Sequence, residues 1–452
     1  MHRTHKLVGL VVLAFALVGL FVVTGASAGS GGNGTGVSGT PSVTPTPLDD
    51  SQLKAEDTTT GGADVLPTTR TVTHWHGSTT DPNNGVTYGY NMVGSDPNNC
   101  SGSACATTIQ ADITPLIVNI DGMTFDGTAV LPATLASPQF ANNDYGSTPA
   151  ATAAGAFPNS PAFIEGPGGV LSQGDAGQQL QLEDATMRAQ FNKTGASPYH
   201  LQLSPNVQAP VTINVPKPKG TLIVSGRGVI GADIDIGWWS TQIGQLENKA
   251  DPTHLPIFLT NQVFLYEGDP GNCCVIGYHG TKTTGNGGGS TNGKGNQPVQ
   301  TFAWASYVQP GFYSRPLGAG STDWALQDIH ALSHEISEWA DDPFVNNTVE
   351  PWVTPTAPQY GCTGVLETGD PVVGIGFAMG TNTFEQGSNP DGSQSADGYY
   401  HPEDEVFAPW FFRQAPNTTS EPTQSPSANV GRYTLMGDLN PFPGFREPAT
   451  GC

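Results

Sequence analysis

Residues 322–341 of this chain carry a clear amphipathic helical pattern. The apolar residues of the segment follow one another at spacings of four, three and four, which places them on one face of a helix. These residues are Ala325, Ile329, Leu332 and Ile336. Ser321 or Asp323 can cap the start of the helix, and Pro343 disfavours helical geometry at the residue before it. We therefore predict one long helix that buries a single apolar stripe.

Glycine and proline interrupt the remaining sequence too often for many further long helices. The chain has 58 Gly and 38 Pro, and only 12% of its residues are charged, a composition that favours turns and strands. Alternating apolar and polar residues predict a strand in "TTIQADITPLIVNIDG", and "TLIVSG" and "TFAWASYV" are further strand candidates. A shorter helix is predicted for residues 178–191. The predicted fold class is therefore α+β, strand-rich, with one helix that carries the candidate site and with long loops.

The N-terminus has the pattern of a secretory signal peptide. The basic segment "MHRTHK" precedes the apolar run "LVGLVVLAFALVGLFVV", and "ASA" ends at Ala28. We interpret residues 1–28 as a signal peptide, and the length of the apolar run leaves an uncleaved anchor as the alternative. Residues 29–68, rich in Gly, Thr, Ser and Pro, are predicted to be a disordered linker or propeptide. The protein is therefore expected to be secreted.

Residues 69–452 are predicted to form a single α+β domain with a loop-rich C-terminal part, residues 376–452. The formal net charge of the chain is -23. Such a surface repels phosphate backbones, which argues against nucleic-acid binding. It also argues against adhesion to an anionic membrane once the signal peptide is cleaved.

Six cysteines in an exported chain indicate disulfides. Cys100 and Cys105 flank a short loop and can bridge locally. The adjacent Cys273 and Cys274 are expected to pair elsewhere, for instance with two cysteines nearer the C-terminus. Those two are Cys362 and Cys452.

The predicted helix contains "SHEISE", a pattern suited to metal binding. His334 and Glu338 stand four residues apart, so both can point at one ion. Glu335 lies about 100° further round the helix, where it can serve as the general base that activates water. A carboxylate at position 338 is an acceptable zinc ligand, although it shifts the preference toward a harder ion.

A third ligand has to come from outside this pair. Glu367 and Asp370 stand three residues apart in "LETGD", a glycine-containing turn that suits an ion. The other candidates for the third ligand are Asp342, His330 and His401. Two alternatives stay open at this point. The polar face lies opposite the apolar stripe and could be solvated surface, and the acidic pair could be ordinary turn residues.

The combination of "SHEISEWADDPFVNN", a later Trp and "LETGD" resembles the layout of the plant phosphate-induced (EXORDIUM-like) family. It also resembles bacterial secreted proteins regarded as zincin-type metallopeptidases. The resemblance implies a zincin-like mixed sheet within a core of about residues 210–375. It also implies the same set of site residues, with Glu335 as the base. The implied ligands are His334, Glu338, Glu367 and Asp370. The second histidine of the H-E-x-x-H motif is missing from this chain.

The leading hypothesis from the sequence is an exported metal-dependent hydrolase of the zincin-like peptidase type. It would use Zn²⁺ or another divalent cation and act on a peptide or protein. A second hypothesis is a non-catalytic extracellular protein that associates with carbohydrate or cell wall through exposed aromatic residues. Its candidate aromatic residues are Trp238, Trp239, Trp410, Phe411 and Phe412. A third hypothesis keeps the ion in a purely structural role, for instance as calcium.

Overall fold

A computed structural model describes eleven parts of the chain. They are residues 36–48, 69–144, 179–193, 196–283, 298–309, 312–313, 328–353, 362–372, 379–384, 398–414 and 433. All of them belong to one compact unit, Gly32–Cys452. The predicted signal peptide, residues 1–28, lies outside the described residues. Among the helices that the structure describes, none combines the length and the apolar character that a membrane crossing requires.

The described strands are numbered in chain order. They are β1 (Val37–Gly39), β2 (Thr46–Pro47), β3 (His74–Thr80), β4 (Thr87–Val93), β5 (Ala106–Ile120), β6 (Met123–Asp126), β7 (Asn143–Asp144), β8 (Gln179–Leu180), β9 (His200–Val207), β10 (Val211–Asn214), β11 (Gly220–Val224), β12 (Ile230–Asp235), β13 (Leu255–Asn261), β14 (Val263–Tyr266), β15 (Cys273–Val275), β16 (Gly277–Thr283), β17 (Val299–Tyr307), β18 (Thr348–Val353) and β19 (Cys362–Val365). The α-helices are α1 (Leu131–Ala136), α2 (Leu182–Gln190), α3 (Ile236–Glu247), α4 (His330–Asp341) and α5 (Ala408–Phe411). Short 3₁₀ helices occur at Gly102–Cys105, Gly127–Ala129, Lys217–Lys219 and Asp370–Val372.

The main sheet joins eight of the described strands in the order β1-β6-β5-β13-β17-β16, with β9 and β10 also paired to β5. Strands β9, β5, β13 and β17 run parallel, and β16 lies antiparallel to β17. Every residue of β13 and β17 is buried, as expected for central strands that are covered on both faces. The strand-rich α+β class predicted from the sequence is therefore confirmed. The sheet also extends beyond the predicted core of residues 210–375, because β5 lies at its centre.

The second sheet has the order β15-β14-β12-β11-β2. An apolar cluster joins it to the main sheet and includes Trp239 and Ile243 of α3. The sequence patterns did not predict α3, although the Asp235 side chain caps it by accepting a hydrogen bond from the Trp238 backbone N–H at 2.7 Å. Three further pairs of strands, β3-β4, β7-β8 and β18-β19, complete the described sheets.

Part of the segment predicted as a disordered linker is ordered. Val37–Gly39 pairs with β6 of the main sheet, and Thr46–Pro47 pairs with β11 of the second sheet. Strand edges bind the backbone of a neighbouring segment, so a segment without apolar periodicity can still add a strand. The linker prediction for residues 29–68 therefore does not hold for residues 36–48, and the other residues of that segment lie outside the described part.

Helix α4 begins later than the sequence predicted. Asp328 and Ile329 form a turn, and the helix starts at His330 instead of near residue 322. The Asp328 carboxylate accepts hydrogen bonds from the backbone N–H groups of Ile329 and His401, which hold this turn outside the helix. The predicted C-terminal end at Asp341 is confirmed. Residues 314–327 lie outside the described part of the chain.

All twelve residues of α4 are buried. One side packs against β16 and β17, where the Trp339 indole donates a hydrogen bond to the Thr301 hydroxyl at 2.9 Å. The alternative in which the polar face is solvated is therefore wrong. Four of the aromatic residues that the carbohydrate- or cell-wall-binding hypothesis requires at the surface are also buried in the core. They are Trp239, Trp410, Phe411 and Phe412.

The disulfides correct one further expectation. Cys100 bonds to Cys105, as the local spacing predicted. Cys273 and Cys274 bond to each other across the peptide that joins them, so neither pairs elsewhere. Cys362 is also disulfide-bonded.

Candidate metal centre

The candidate centre lies between α4 and the edge strand β16. The helix supplies His334, Glu335 and Glu338, and β16 brings His279 to face them. A Cβ atom on Gly277, two residues before this histidine, would lie only 2.5 Å from Glu335 Oε1. Glycine at that position therefore lets the Glu335 carboxylate lie directly against the backbone of β16.

The "LETGD" turn closes the centre from the other side. The Gly369 backbone N–H donates to Glu338 Oε1 at 3.3 Å, and the Thr368 and Ser337 hydroxyls lie 3.2 Å apart. A Cβ atom on Gly369 would overlap the His334 ring, so this position also requires glycine. These contacts hold Glu367 and Asp370 against the helix.

The polar side chains of the centre form two groups of potential ligands. One contains His279, Glu338 and Glu367, and the other contains His334, Glu338 and Asp370. Within each group the three ligand atoms lie within 4.8 Å of one another. The sequence-predicted ligands His334, Glu338, Glu367 and Asp370 are thus brought together, and Glu335 lies beside them.

The distances in each group suit coordination of a cation. In the second group, His334 Nε2 lies 3.1 Å from Glu338 Oε1 and 3.9 Å from Asp370 Oδ1. In the first group, His279 Nδ1 lies 3.3 Å from Glu338 Oε2, and the opposite ring nitrogen, Nε2, lies 3.9 Å from Glu367 Oε2. Only one of these nitrogens can bind a given ion, and one of them lies within 4.8 Å of an oxygen of each carboxylate. Two ligands at about 2.1 Å from a tetrahedral ion lie about 3.4 Å apart, close to these separations.

The other candidates for the third ligand have different positions. The Asp342 carboxylate accepts hydrogen bonds from the backbone N–H groups of Asn346 and Asn347, at 3.0 and 2.9 Å. The His401 ring lies 3.4 Å from Asp328. His330 Nε2 lies 2.8 Å from Glu403 Oε2. Neither ligand group contains any of these three candidates.

Glu403 holds the His334 ring in place. Its Oε2 lies 2.8 Å from His334 Nδ1, which directs Nε2 of the same ring toward Glu338 and Asp370. The Glu403 backbone N–H donates to the Ser333 hydroxyl at 2.9 Å and so ties this segment to α4. A carboxylate on the far nitrogen of a histidine ligand fixes the tautomer and raises the basicity of the ligand.

The electrostatics of the centre are those of packed carboxylates around two histidines. Burial raises the pKa of Glu335 to about 8, against the opposing effect of His279 and His334. Burial also acts to raise the pKa of Glu338, but His334 and His279 outweigh it and lower this pKa to about 2. Burial acts to lower the pKa of His279, but Glu335 and Glu338 outweigh it and raise this pKa to about 10. The protonated imidazole thus balances part of the negative charge.

Several buried polar atoms of the centre have no hydrogen-bond partner. They include both ring nitrogens of His279 and both carboxylate oxygens of Glu335. A buried polar group without a partner costs roughly 1–3 kcal/mol. A cation bound by the histidines and carboxylates would satisfy such groups, and imidazole with carboxylate is a donor set that suits zinc and related divalent ions. The residues therefore fit a divalent metal ion.

Sequence reasoning missed His279 and Glu403. His279 lies in "VIGYHG", a segment that shares only the resemblance to the family layout, and no local spacing links it to the helix. Glu403 lies in "HPEDE", within the part predicted to be loop-rich. Both reach α4 through tertiary contacts alone.

No known protein family, curated protein or solved structure matched this chain.

Proposed function

We propose that this protein is an exported metal-dependent hydrolase, similar to zincin-type peptidases, that cleaves a peptide or protein substrate. The observation that supports the proposal is the convergence of His334, Glu338 and Asp370 around one point, with Glu335 on the adjacent helical position. An ion with a histidine, carboxylate ligands and a neighbouring free carboxyl is the minimum that hydrolysis by activated water requires.

The ion, when bound, would supply Lewis acidity that polarises the scissile carbonyl and lowers the pKa of water. The chain itself supplies the ligands and a proton carrier. Glu335 is suited to take a proton from water and return it to the leaving amine, because burial raises its pKa to about 8. Glu403 would keep His334 in its ligating orientation through the bond to Nδ1.

The proposal is tested with Glu335→Gln, which keeps the size of the side chain and removes the ionisable group. We expect zinc content to stay at the wild-type level and hydrolysis of unfolded casein, followed as new amino termini, to fall at least a hundredfold. His334→Ala should lose hydrolysis together with the ion that His334 would bind.

Asp233→Asn provides the matched control. Burial raises the pKa of Asp233 to about 8, as for Glu335, but this carboxyl lies on β12 in the second sheet. Neutralising it should leave both zinc content and hydrolysis unchanged. Full hydrolysis by Glu335→Gln would show that Glu335 is not the base.

A structural ion is the second candidate function, and the burial of the centre favours it. Asp370 has the most exposed side chain among the ligand candidates, at 12%. Structural metal sites are closed, whereas catalytic sites keep an open position. In that case wild-type protein would retain zinc and gain thermal stability from it, but would release no peptides from casein or from a mixed peptide library.

A further inference from the structure

The two oxygens of the Glu338 carboxylate face different histidines. Oε1 lies 3.1 Å from His334 Nε2, and Oε2 lies 3.3 Å from His279 Nδ1. Each histidine has its own second carboxylate, Asp370 for the former and Glu367 for the latter. Glu338 therefore stands between two ligand sets.

We propose that the centre holds two divalent ions bridged by Glu338. His334 and Asp370 complete the first ion site, and His279 and Glu367 complete the second. The proposal rests on the metal binding that the proposed function requires, and it adds a second ion to it. Ions bridged in this way lie about 3.5–4 Å apart in two-metal hydrolases, where they bind the attacking and leaving oxygens together.

The separation of the ligand atoms favours two ions over one. Among the described residues, neither group of mutually close ligand atoms contains both histidines. A single ion bound through His334 and Asp370 would leave both ring nitrogens of His279 buried and outside its coordination sphere, with Nδ1 3.3 Å from Glu338 Oε2 and Nε2 3.9 Å from Glu367 Oε2. A second ion would take one of these nitrogens as a ligand, in a position beside Glu335, whose Oε2 lies 3.5 Å from His279 Nδ1.

The charges of the centre leave room for a second ion. Five carboxylates face the two histidines, and all five are buried. They are Glu335, Glu338, Glu367, Asp370 and Glu403. Uncompensated charge in a protein interior is strongly unfavourable. With all five ionised and both histidines neutral, one divalent ion balances fewer than half of the negative charges, and a second ion balances two more of them.

The experiment measures zinc stoichiometry on the full chain. Metal-free protein is dialysed against Zn²⁺ in the presence of a weak chelator, which removes ions held only by the acidic surface, and bound zinc is counted by mass spectrometry. We expect two zinc ions per wild-type chain and one per chain for either His279→Ala or His334→Ala. The control Asp233→Asn, which neutralises a buried carboxyl outside the centre, should keep two zinc ions per chain. Glu367→Gln supplies a second test of the second site if His279→Ala does not fold.

The outcomes separate this proposal from the proposed function. One zinc ion in the wild type, lost in His334→Ala and kept in His279→Ala, would overturn the bridged pair and leave a mononuclear hydrolase intact. No zinc in the wild type would overturn both. Two ions that persist in both variants would show that the second ion is bound elsewhere. Replacement by Co²⁺ gives an independent readout, because two bridged ions couple magnetically and isolated ions do not.

Discussion

Glu403→Gln tests whether Glu403 orients His334 in the candidate metal centre, and it changes none of the proposed ligands. The wild-type carboxylate lies 2.8 Å from His334 Nδ1 and 2.8 Å from His330 Nε2, and the side chain is fully buried. Glutamine keeps the volume and one acceptor oxygen but brings an amide N–H₂ group and no charge. Its backbone bond to the Ser333 hydroxyl is unaffected. The variant should therefore fold, with a less firmly held His334.

The expected loss of affinity follows from the bond that is weakened. A hydrogen bond to a charged group contributes roughly 1.5–3 kcal/mol. Since 1.4 kcal/mol corresponds to a factor of ten, this range equals about a 10- to 150-fold change in an equilibrium constant. Loss of a partner behind a metal ligand weakens metal binding by about 10- to 100-fold, which is the same order. We therefore expect Glu403→Gln to raise the Kd for Zn²⁺ by about 10- to 100-fold.

The assay is competition for Zn²⁺ with a chromogenic chelator at fixed pH, with circular dichroism as the check on folding. Asp233→Asn again serves as the control, because it neutralises a buried carboxyl that lies in the second sheet. A wild-type Kd in folded Glu403→Gln would refute the reasoning, since it would show that the bond to Nδ1 does not orient the ring.

Two further predictions concern Gly369 in the "LETGD" turn and the dependence of stability on pH. Gly369→Ala should weaken zinc binding, measured by the same competition, because the added Cβ overlaps the His334 ring; Gly364→Ala, where a Cβ meets nothing closer than 3.6 Å, should not. In metal-free protein, stability should fall as pH rises from about 5 to about 9. The folded-state pKa values of Glu335 (about 8, ordinarily 4.5) and His279 (about 10, ordinarily 6.5) are both raised, so their stabilisation is complete below the ordinary values and lost above the raised ones. Urea titrations in chelator at several pH values would check this, and a rise in stability over that range would contradict it.

Helix α4 was the part of the site that the sequence predicted most directly. Spacings of three and four residues are local properties of a helix, so the sequence alone places His334 and Glu338 together. A period-two pattern likewise located β5. Helix α3 was not predicted because Gly237, Gly244 and a tryptophan pair give it low helical propensity, and its stability comes from the Asp235 cap and from tertiary packing.

The burial of the whole helix was harder to predict from the sequence. An amphipathic pattern normally means that the polar face meets water. Here strands β16 and β17, helix α2 and strand β4 all pack against the helix. The sequence pattern is the same whether the polar face meets solvent or other buried polar groups. Only the assembled fold distinguishes the two, since His279 and Glu403 come from distant segments.

Under the proposed function, a buried polar face would also link metal binding to the stability of the fold. Two carboxyls at the C-terminal end of the same helix are not among the proposed ligands. Burial raises the pKa of Asp341 and of Asp342 to about 7. Carboxyls with raised pKa values oppose folding once pH exceeds those values, and His279 alone offers limited compensation. An ion that binds only the folded chain stabilises it by RT ln(1 + [ion]/Kd), about 4 kcal/mol at a thousandfold excess over Kd. The same ions that would perform hydrolysis would therefore also hold α4 against β16 and the "LETGD" turn.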